Sequence, residues 1–394
     1  MIKKMILRVV RSKRTQKLFR LIFLLSSKLP VKNNLVIFES FHGKQYSDSP
    51  KAIYEHMKKY HSANLVWSVD RRYTQLFEQW SIPYMVRFTP KWFFYFPRAK
   101  YWVNNVRFPK WFPKPKKTTY VQTWHGTPLK KLGVDIKDVK MPGTSTETYH
   151  NNFVSEAKKW DILVSPNSYS TEIFKSAFQY NGKIAETGYP RNDFLYNYSE
   201  RDVQTVRNKL NIPKDKKVIL YTPTWRDNNY YSVGRYKFDI QLNLDLMKDS
   251  LGENYVVLVR MHYLVADRID KNKYGDFVID VSKYPDISDL YIISDLLITD
   301  YSSTFFDFAN LKRPILFFAY DLEEYKDELR GFYFDFLNQA PGPIVKTTEE
   351  LIRKIKLLDE ENPVNSEAFS KFHNKFCSLE DGTSAQKVAE AFYP

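Results

Sequence analysis

Four strand-ending stretches hold the residue types that could do chemistry. Thr119–Thr123 runs into Trp124-His125-Gly126-Thr127-Pro128, and Val218–Thr222 into Pro223-Thr224-Trp225-Arg226-Asp227. Tyr255–Val259 runs into Arg260-Met261-His262, and Leu296–Thr299 into Asp300-Tyr301-Ser302-Ser303. A histidine titrates near neutrality, so His125 and His262 suit proton transfer, and as imidazolium they suit a developing phosphate charge. Arg226 and Arg260 stand close by, and Gly126 lets a backbone approach a ligand closely. Ser302-Ser303, before a predicted helix Thr304–Leu311, offers hydroxyls and free N–H groups where a phosphate would sit. The same pair also serves as an ordinary N-cap. In Thr187-Gly188-Tyr189-Pro190-Arg191-Asn192-Asp193, Arg191 either forks onto a phosphate or pairs with Asp193 or another carboxylate. Walker, GxGxxG and HExxH patterns are absent, which gives no support to ATP-type cradles, dinucleotide cradles or a zinc site.

These residues need a scaffold that brings strand ends together. From residue 34, short apolar runs alternate with longer helix-patterned stretches. The strands are expected at Leu35–Phe38, Asn64–Val69, Tyr84–Arg87, Tyr101–Asn104, Thr119–Thr123 and Asp161–Ser165. After the charged segment Glu200–Lys217 they resume at Val218–Thr222, Tyr255–Arg260, Phe277–Val281, Leu296–Thr299 and Ile315–Ala319. Such a pattern predicts parallel sheets built from βαβ units. With 394 residues, two series predict two doubly wound domains with a cleft between them, the boundary near residue 200. In open α/β sheets ligands bind beyond the carboxyl ends of the strands, where the polar residues cluster.

Lys+Arg 60 against Asp+Glu 45 gives a net charge of +15, which calls for an anionic partner. Residues 1–32 hold ten basic residues and no acidic one, interleaved with apolar residues whose longest run is Leu21–Leu25. That run is far short of the roughly 20 residues that cross a bilayer. The segment reads as a basic amphipathic helix on an anionic cytoplasmic leaflet, or alternatively as a helix docked on the body with its lysines in water. The single cysteine, Cys377, excludes an intramolecular disulfide and fits a reducing compartment. No nucleic-acid-binding motif is visible, and a pure binder gives no reason for two strand-end histidines.

Taken together, WHGTPLKKLG, TGYPRND, TPTWRD, RMHYL and ITDYSSTFFDFANLKRPILFFAYDLE resemble the CDP-glycerol glycerophosphotransferase family of teichoic acid synthesis, over about residues 35–380. The resemblance implies two Rossmann-like domains of the GT-B type and transfer of glycerol phosphate from CDP-glycerol with release of CMP. The acceptor it implies is undecaprenyl-diphosphate-linked, at the cytoplasmic face of the membrane, and no cofactor or metal is implied. His125 and His262 become the essential histidines. Donor contacts fall on Gly126, Thr127, Arg191, Thr224, Trp225, Arg226, Arg260, Ser302 and Ser303. Asp300 and Asp307 lie in the same block without a role, and Lys130 and Lys131 either add positive field or occupy a solvated helix face. The expected division is 1–32 membrane-associating, 33–200 acceptor domain and 201–394 donor domain. Ribitol phosphate transfer and a sugar-nucleotide glycosyltransferase remain open, CMP release separating the latter from UDP release.

Overall fold

Runs such as Leu35-Val36-Ile37-Phe38 and Val256-Val257-Leu258-Val259 place apolar side chains on both faces of a strand, and all eight are buried. Such strands belong in parallel sheets covered on both sides. The computed structural model describes residues 12–139, 144–224, 230–232, 235–236, 240–261, 271–322 and 331–394, with 230–232, 235–236 and 271–272 as backbone alone.

The first sheet comprises β1 (Lys32–Glu39), β2 (Asn64–Val69), β3 (Tyr84–Val86), β4 (Ala99–Asn104), β5 (Thr119–Gln122), β6 (Ile162–Ser165) and β7 (Lys183–Glu186). All pairs are parallel, in the order β3-β2-β1-β4-β5-β6-β7. Next along the chain come β8 (Lys217–Thr222) and a small antiparallel ribbon of β9 (Tyr230–Ser232) and β10 (Arg235–Tyr236). The chain continues with β11 (Tyr255–Val259), β12 (Val278–Asp280), β13 (Leu296–Thr299), β14 (Ile315–Phe318) and β15 (Ile344–Val345). The second sheet is also wholly parallel, ordered β12-β11-β8-β13-β14-β15. Strand order reverses between β1 and β4 in one sheet and between β8 and β13 in the other. These switch points are where a doubly wound sheet leaves a crevice for ligands.

Several elements depart from the sequence pattern, among them β7, β15 and the β9–β10 ribbon. β7 was not expected, because Lys183-Ile184-Ala185-Glu186 offers only two apolar residues between charges, as an edge strand can. The final helix, Ser384–Phe392, crosses back to the first domain. Its Val388, Ala389 and Phe392 are buried in one core with Val36, Tyr54, Tyr101 and Val164.

The helix Lys13–Ser27 begins at Ser12, whose hydroxyl accepts from Thr15 N–H, an ordinary N-cap. Phe23 is fully buried among Trp92, Phe96, Trp102 and Phe112, and Phe19 and Ile22 pack beside it. Leu18, Leu21, Leu24 and Leu25 are exposed on the other face, interleaved with Arg14, Lys17 and Lys28. Among the described residues no helix is long and apolar enough to cross a membrane.

Candidate active site

At the first switch point the strand ends are wired by buried amides. Asn105 donates from Nδ2 to Ser40 Oγ at 3.2 Å and accepts Phe41 N–H at 2.9 Å, tying the ends of β1 and β4 together. Its main-chain carbonyl lies 2.6 Å from Nδ1 of His125. A carbonyl only accepts, so Nδ1 carries the proton and Nε2 keeps its lone pair. The ring is further fixed by stacking on Trp124 at 4.4 Å and by the edge of Phe41 at 6.1 Å. Gln122, buried at the end of β5, accepts Trp124 N–H at 2.9 Å and sets the turn that presents His125.

That turn is strained. Trp124 has φ 53, and Phe41, His42 and Asp48 have φ 47, 63 and 64. These four, of nine non-glycine residues with positive φ among the described residues, all line one cavity. Left-handed backbone at such residues costs about 1–3 kcal/mol each and persists where surrounding structure holds it for a purpose.

At the second switch point Thr222, Thr299 and Thr304 join through hydroxyls, with Thr222 Oγ1 3.1 Å from Thr299 Oγ1 and 2.9 Å from Thr304 Oγ1. Asp300 accepts Thr224 N–H at 2.8 Å and Tyr301 N–H at 2.6 Å, which gives this carboxylate a role: it pins the two turns together. Ser302 Oγ accepts Thr304 N–H at 3.4 Å, while Ser303, at the N-cap position of helix Thr304–Phe308, makes no side-chain cap bond. Gly126 meets this turn from the other domain. A Cβ at 126 would sit 2.9 Å from Ser303 Oγ, so the close approach requires glycine.

Two cavities meet here. The larger, about 1010 Å³, is lined from both domains, including His42, Lys44, Arg107, Lys110 and Arg260. The smaller, about 320 Å³, is lined by Gly126, Thr127, Lys130, Thr224, Ser302 and Ser303, among others. Trp124, His125, Leu132, Arg260, Met261 and Ile287 border both. His125 keeps an exposed edge, and desolvation of the rest of the ring within the cleft pushes its pKa down, against the Asn105 carbonyl and Asp48, which favours the neutral form. Arg260 is anchored through Nη1 to the carbonyls of Val281 at 3.3 Å and Tyr284 at 2.8 Å.

Arg191 is placed differently from a free phosphate fork. Buried, it pairs with Asp307 at 2.9 Å and Asp48 at 3.4 Å, rather than with Asp193. Its motif is a junction between domains. Asn192 donates to Glu380 at 3.0 Å, and Asp193 accepts Ser384 N–H at 2.8 Å and Ala385 N–H at 2.7 Å, capping the returning helix. Gly188 has φ +83, and a Cβ there would lie 2.5 Å from Ser384 Oγ. Asp307 thereby acquires the role the sequence left open. A second junction lies at Lys130 and Lys131, which sit on no helix. Lys130 forms a β-bridge with Phe332, Lys131 N–H donates to Gly331 O at 3.2 Å, and Lys51 pairs with Asp286 at 2.8 Å nearby.

His262, Trp225 and Arg226 lie outside the described residues. The structure thus brings His125, Gly126, Thr127, Thr224, Arg260, Ser302 and Ser303 to one pair of cavities, with Arg191 on the wall of the larger and paired with Asp307 and Asp48. Sequence reasoning missed His42, Asp48, Asn105 and Arg107. The signal was present: Phe41-His42-Gly43 follows β1 as Trp124-His125-Gly126 follows β5. Burial, with Arg87, Lys44, His125 and Arg107 nearby, pushes His42 down to about 4.

Two open parallel sheets with cavities at both switch points, a strand-end histidine between them and cationic walls make a site suited to an anionic ligand. Residues 21–393 match the family model described as CDP-glycerol:poly(glycerophosphate) glycerophosphotransferase. The teichoic acid poly(glycerol phosphate) polymerase of Bacillus subtilis (strain 168) is 53% identical over 98% of this chain, which spans 52% of that relative, about half its length. The teichoic acid glycerol-phosphate transferase of Staphylococcus aureus (strain NCTC 8325 / PS 47) is 52% identical over 94% of this chain and 95% of the relative. A solved structure of the wall teichoic acid polymerase TagF, a histidine-to-asparagine variant soaked with CDPG, superposes with TM-score 0.88 at 41% identity. It covers 100% of this chain and 96% of that one. The chain belongs to the CDP-glycerol:poly(glycerophosphate) glycerophosphotransferase family, and is accordingly a glycerophosphotransferase of teichoic acid synthesis.

Proposed function

We propose that the chain transfers glycerol phosphate from CDP-glycerol to the terminal hydroxyl of a lipid-linked teichoic acid acceptor, with His125 as general base. The observation that carries this reading is the position of His125 on the wall shared by the two cavities, with Nδ1 committed to Asn105 and Nε2 unprotonated. The donor occupies the smaller cavity, where Gly126, Thr127, Thr224, Ser302 and Ser303 surround the diphosphate. The acceptor enters the larger one, an arrangement of the GT-B kind. Nε2 takes the hydroxyl proton, the oxygen bonds to the phosphorus bearing glycerol, and the bond to CMP breaks with its electron pair leaving on CMP. Arg260, at the seam, stabilises charge on the transferring group, as does His262, and Trp225 and Arg226 contact the donor. Positioning and electrostatics are what phosphoryl transfer chiefly needs. Arg191 serves this site by holding the domains in register.

The test is product mass and nucleotide release. Purified chain with a lipid acceptor analogue is expected to release CMP from CDP-glycerol and add glycerol phosphate units, and to use CDP-ribitol poorly. Preference for CDP-ribitol, or turnover of a UDP-sugar, would replace the reading.

We also propose peripheral attachment to the cytoplasmic face of the membrane through helix Lys13–Ser27. Phe23 docks the helix while the exposed leucines and bases face outward, so the two sequence alternatives describe its two faces. Removing residues 1–30 would strip Phe23 from the core; replacing Leu18, Leu21 and Leu25 by serine leaves the docked face intact. Each buried leucine contributes about 1.5–3 kcal/mol to insertion and each base about 1 kcal/mol before screening. The triple variant is expected to lose sedimentation with anionic vesicles at high salt, where the wild type still pellets. Equal pelleting would leave the exposed leucines without a membrane role.

A further inference from the structure

The larger cavity carries more positive charge than a neutral hydroxyl acceptor requires. Five Lys and Arg residues line it (Lys44, Arg107, Lys110, Arg191, Arg260) against three carboxylates. Each carboxylate already has its own cation: Asp48 has Arg191, Asp286 has Lys51, and Glu156 has Lys159 at 2.7 Å. Arg107 has a different setting. Its guanidinium carbon lies over Phe153, 3.5 Å from the ring centroid, and 6.0 Å from that of Tyr149. No carboxylate forms an ion pair with it among the described residues. An arginine held over an aromatic face keeps the donors at its edge available for a carboxylate or a phosphate. Arg107 borders the larger cavity and not the smaller, which sets it apart from the residues proposed above to surround the diphosphate of the donor.

We propose that Arg107, with Lys44 and Lys110, forms a subsite for a phosphodiester of the acceptor, the one that precedes the terminal hydroxyl attacked at the seam. This rests on the glycerophosphotransferase reading and extends it: the site recognises the anionic linkage that the reaction itself creates. A chain that already carries one unit is then a better acceptor than a neutral alcohol. The field of the same cations reaches the histidines, since Arg107 contributes to lowering both His42 and His125.

The test uses the full chain, CDP-glycerol and two soluble acceptors with the same terminal glycerol and tail, one joined by a phosphodiester and one by a neutral ether. Arg107→Gln is expected to raise KM for the phosphodiester acceptor about tenfold or more, the loss of one charged hydrogen bond, and to move the ether acceptor less than about twofold. KM for CDP-glycerol stays unchanged, which also reports an intact fold. Lys110→Gln, at an exposed position, removes charge without disturbing packing and is expected to shift KM in the same selective direction by a smaller factor. Equal shifts for both acceptors, or a shift in the KM for CDP-glycerol instead, would overturn the subsite. Wild-type protein that transfers to neither acceptor would overturn the glycerophosphotransferase reading, and the subsite with it.

Discussion

His125→Ala is expected to lower kcat by about two to four orders of magnitude, the range that a positioned general base supplies. The imidazole is lost and the Asn105 carbonyl that it bonds is released, while Gly126, Thr127, Ser302 and Ser303 of the smaller cavity are untouched. KM for CDP-glycerol should therefore change little, which separates lost proton transfer from lost donor binding. The pH profile gives a second readout. Desolvation within the cleft lowers the His125 pKa although one edge stays exposed, so protonation of Nε2, which abolishes base function, occurs on the acid side of the ordinary histidine value. The wild-type acid limb should lie below pH 6.5 and vanish in the variant. Near-wild-type turnover of His125→Ala would remove this histidine from the chemistry.

Arg191→Ala is expected to destabilise the folded chain by about 3–5 kcal/mol, because it leaves two buried carboxylates without their cation. Asp307 and Asp48 come from different domains, so the loss should appear as earlier separation of the domains in calorimetry. Adding Asp48→Asn and Asp307→Asn to the arginine variant should recover part of the loss, since the unpaired charges then disappear. A direct phosphate ligand behaves otherwise: Arg191→Ala would raise KM for CDP-glycerol with stability unchanged, and the asparagine substitutions would rescue nothing.

Much of the scaffold is written in local pattern. The runs at Val256–Val259 and Leu296–Thr299 are apolar on both faces and bounded by polar turns, which distinguishes buried parallel strands without any knowledge of their partners. Strands β7 and β15 escaped because edge positions need only a few apolar residues; Ile344-Val345 is two residues long. The site divides along the same line. His125, Arg260 and Ser302-Ser303 follow long, obvious strands, so their position at an edge could be read. Arg191 could be seen as charged but not as paired, because Asp48 and Asp307 lie 143 and 116 residues away. Asn105 and Gln122 act through amide geometry, and nothing in their spacing marks them. Arg107 lies in a proline-flanked loop whose aromatic support, Phe153, comes from a distant helix.

The return of helix Ser384–Phe392 to the first sheet has a consequence for how the chain is made. Domains generally fold as units while synthesis proceeds from the N-terminus. Here the earliest domain to leave the ribosome lacks Val388, Ala389 and Phe392, which fill its core beside Val36 and Tyr101. An apolar patch on that sheet stays open throughout translation of the second domain and closes only when Ser384–Phe392 emerges. Asp193, waiting in the first half of the chain, supplies the cap that the arriving helix needs at Ser384 and Ala385. A nascent chain that stops short of Ser384–Phe392 thus exposes a surface for chaperones and proteases, and that surface disappears once this helix docks.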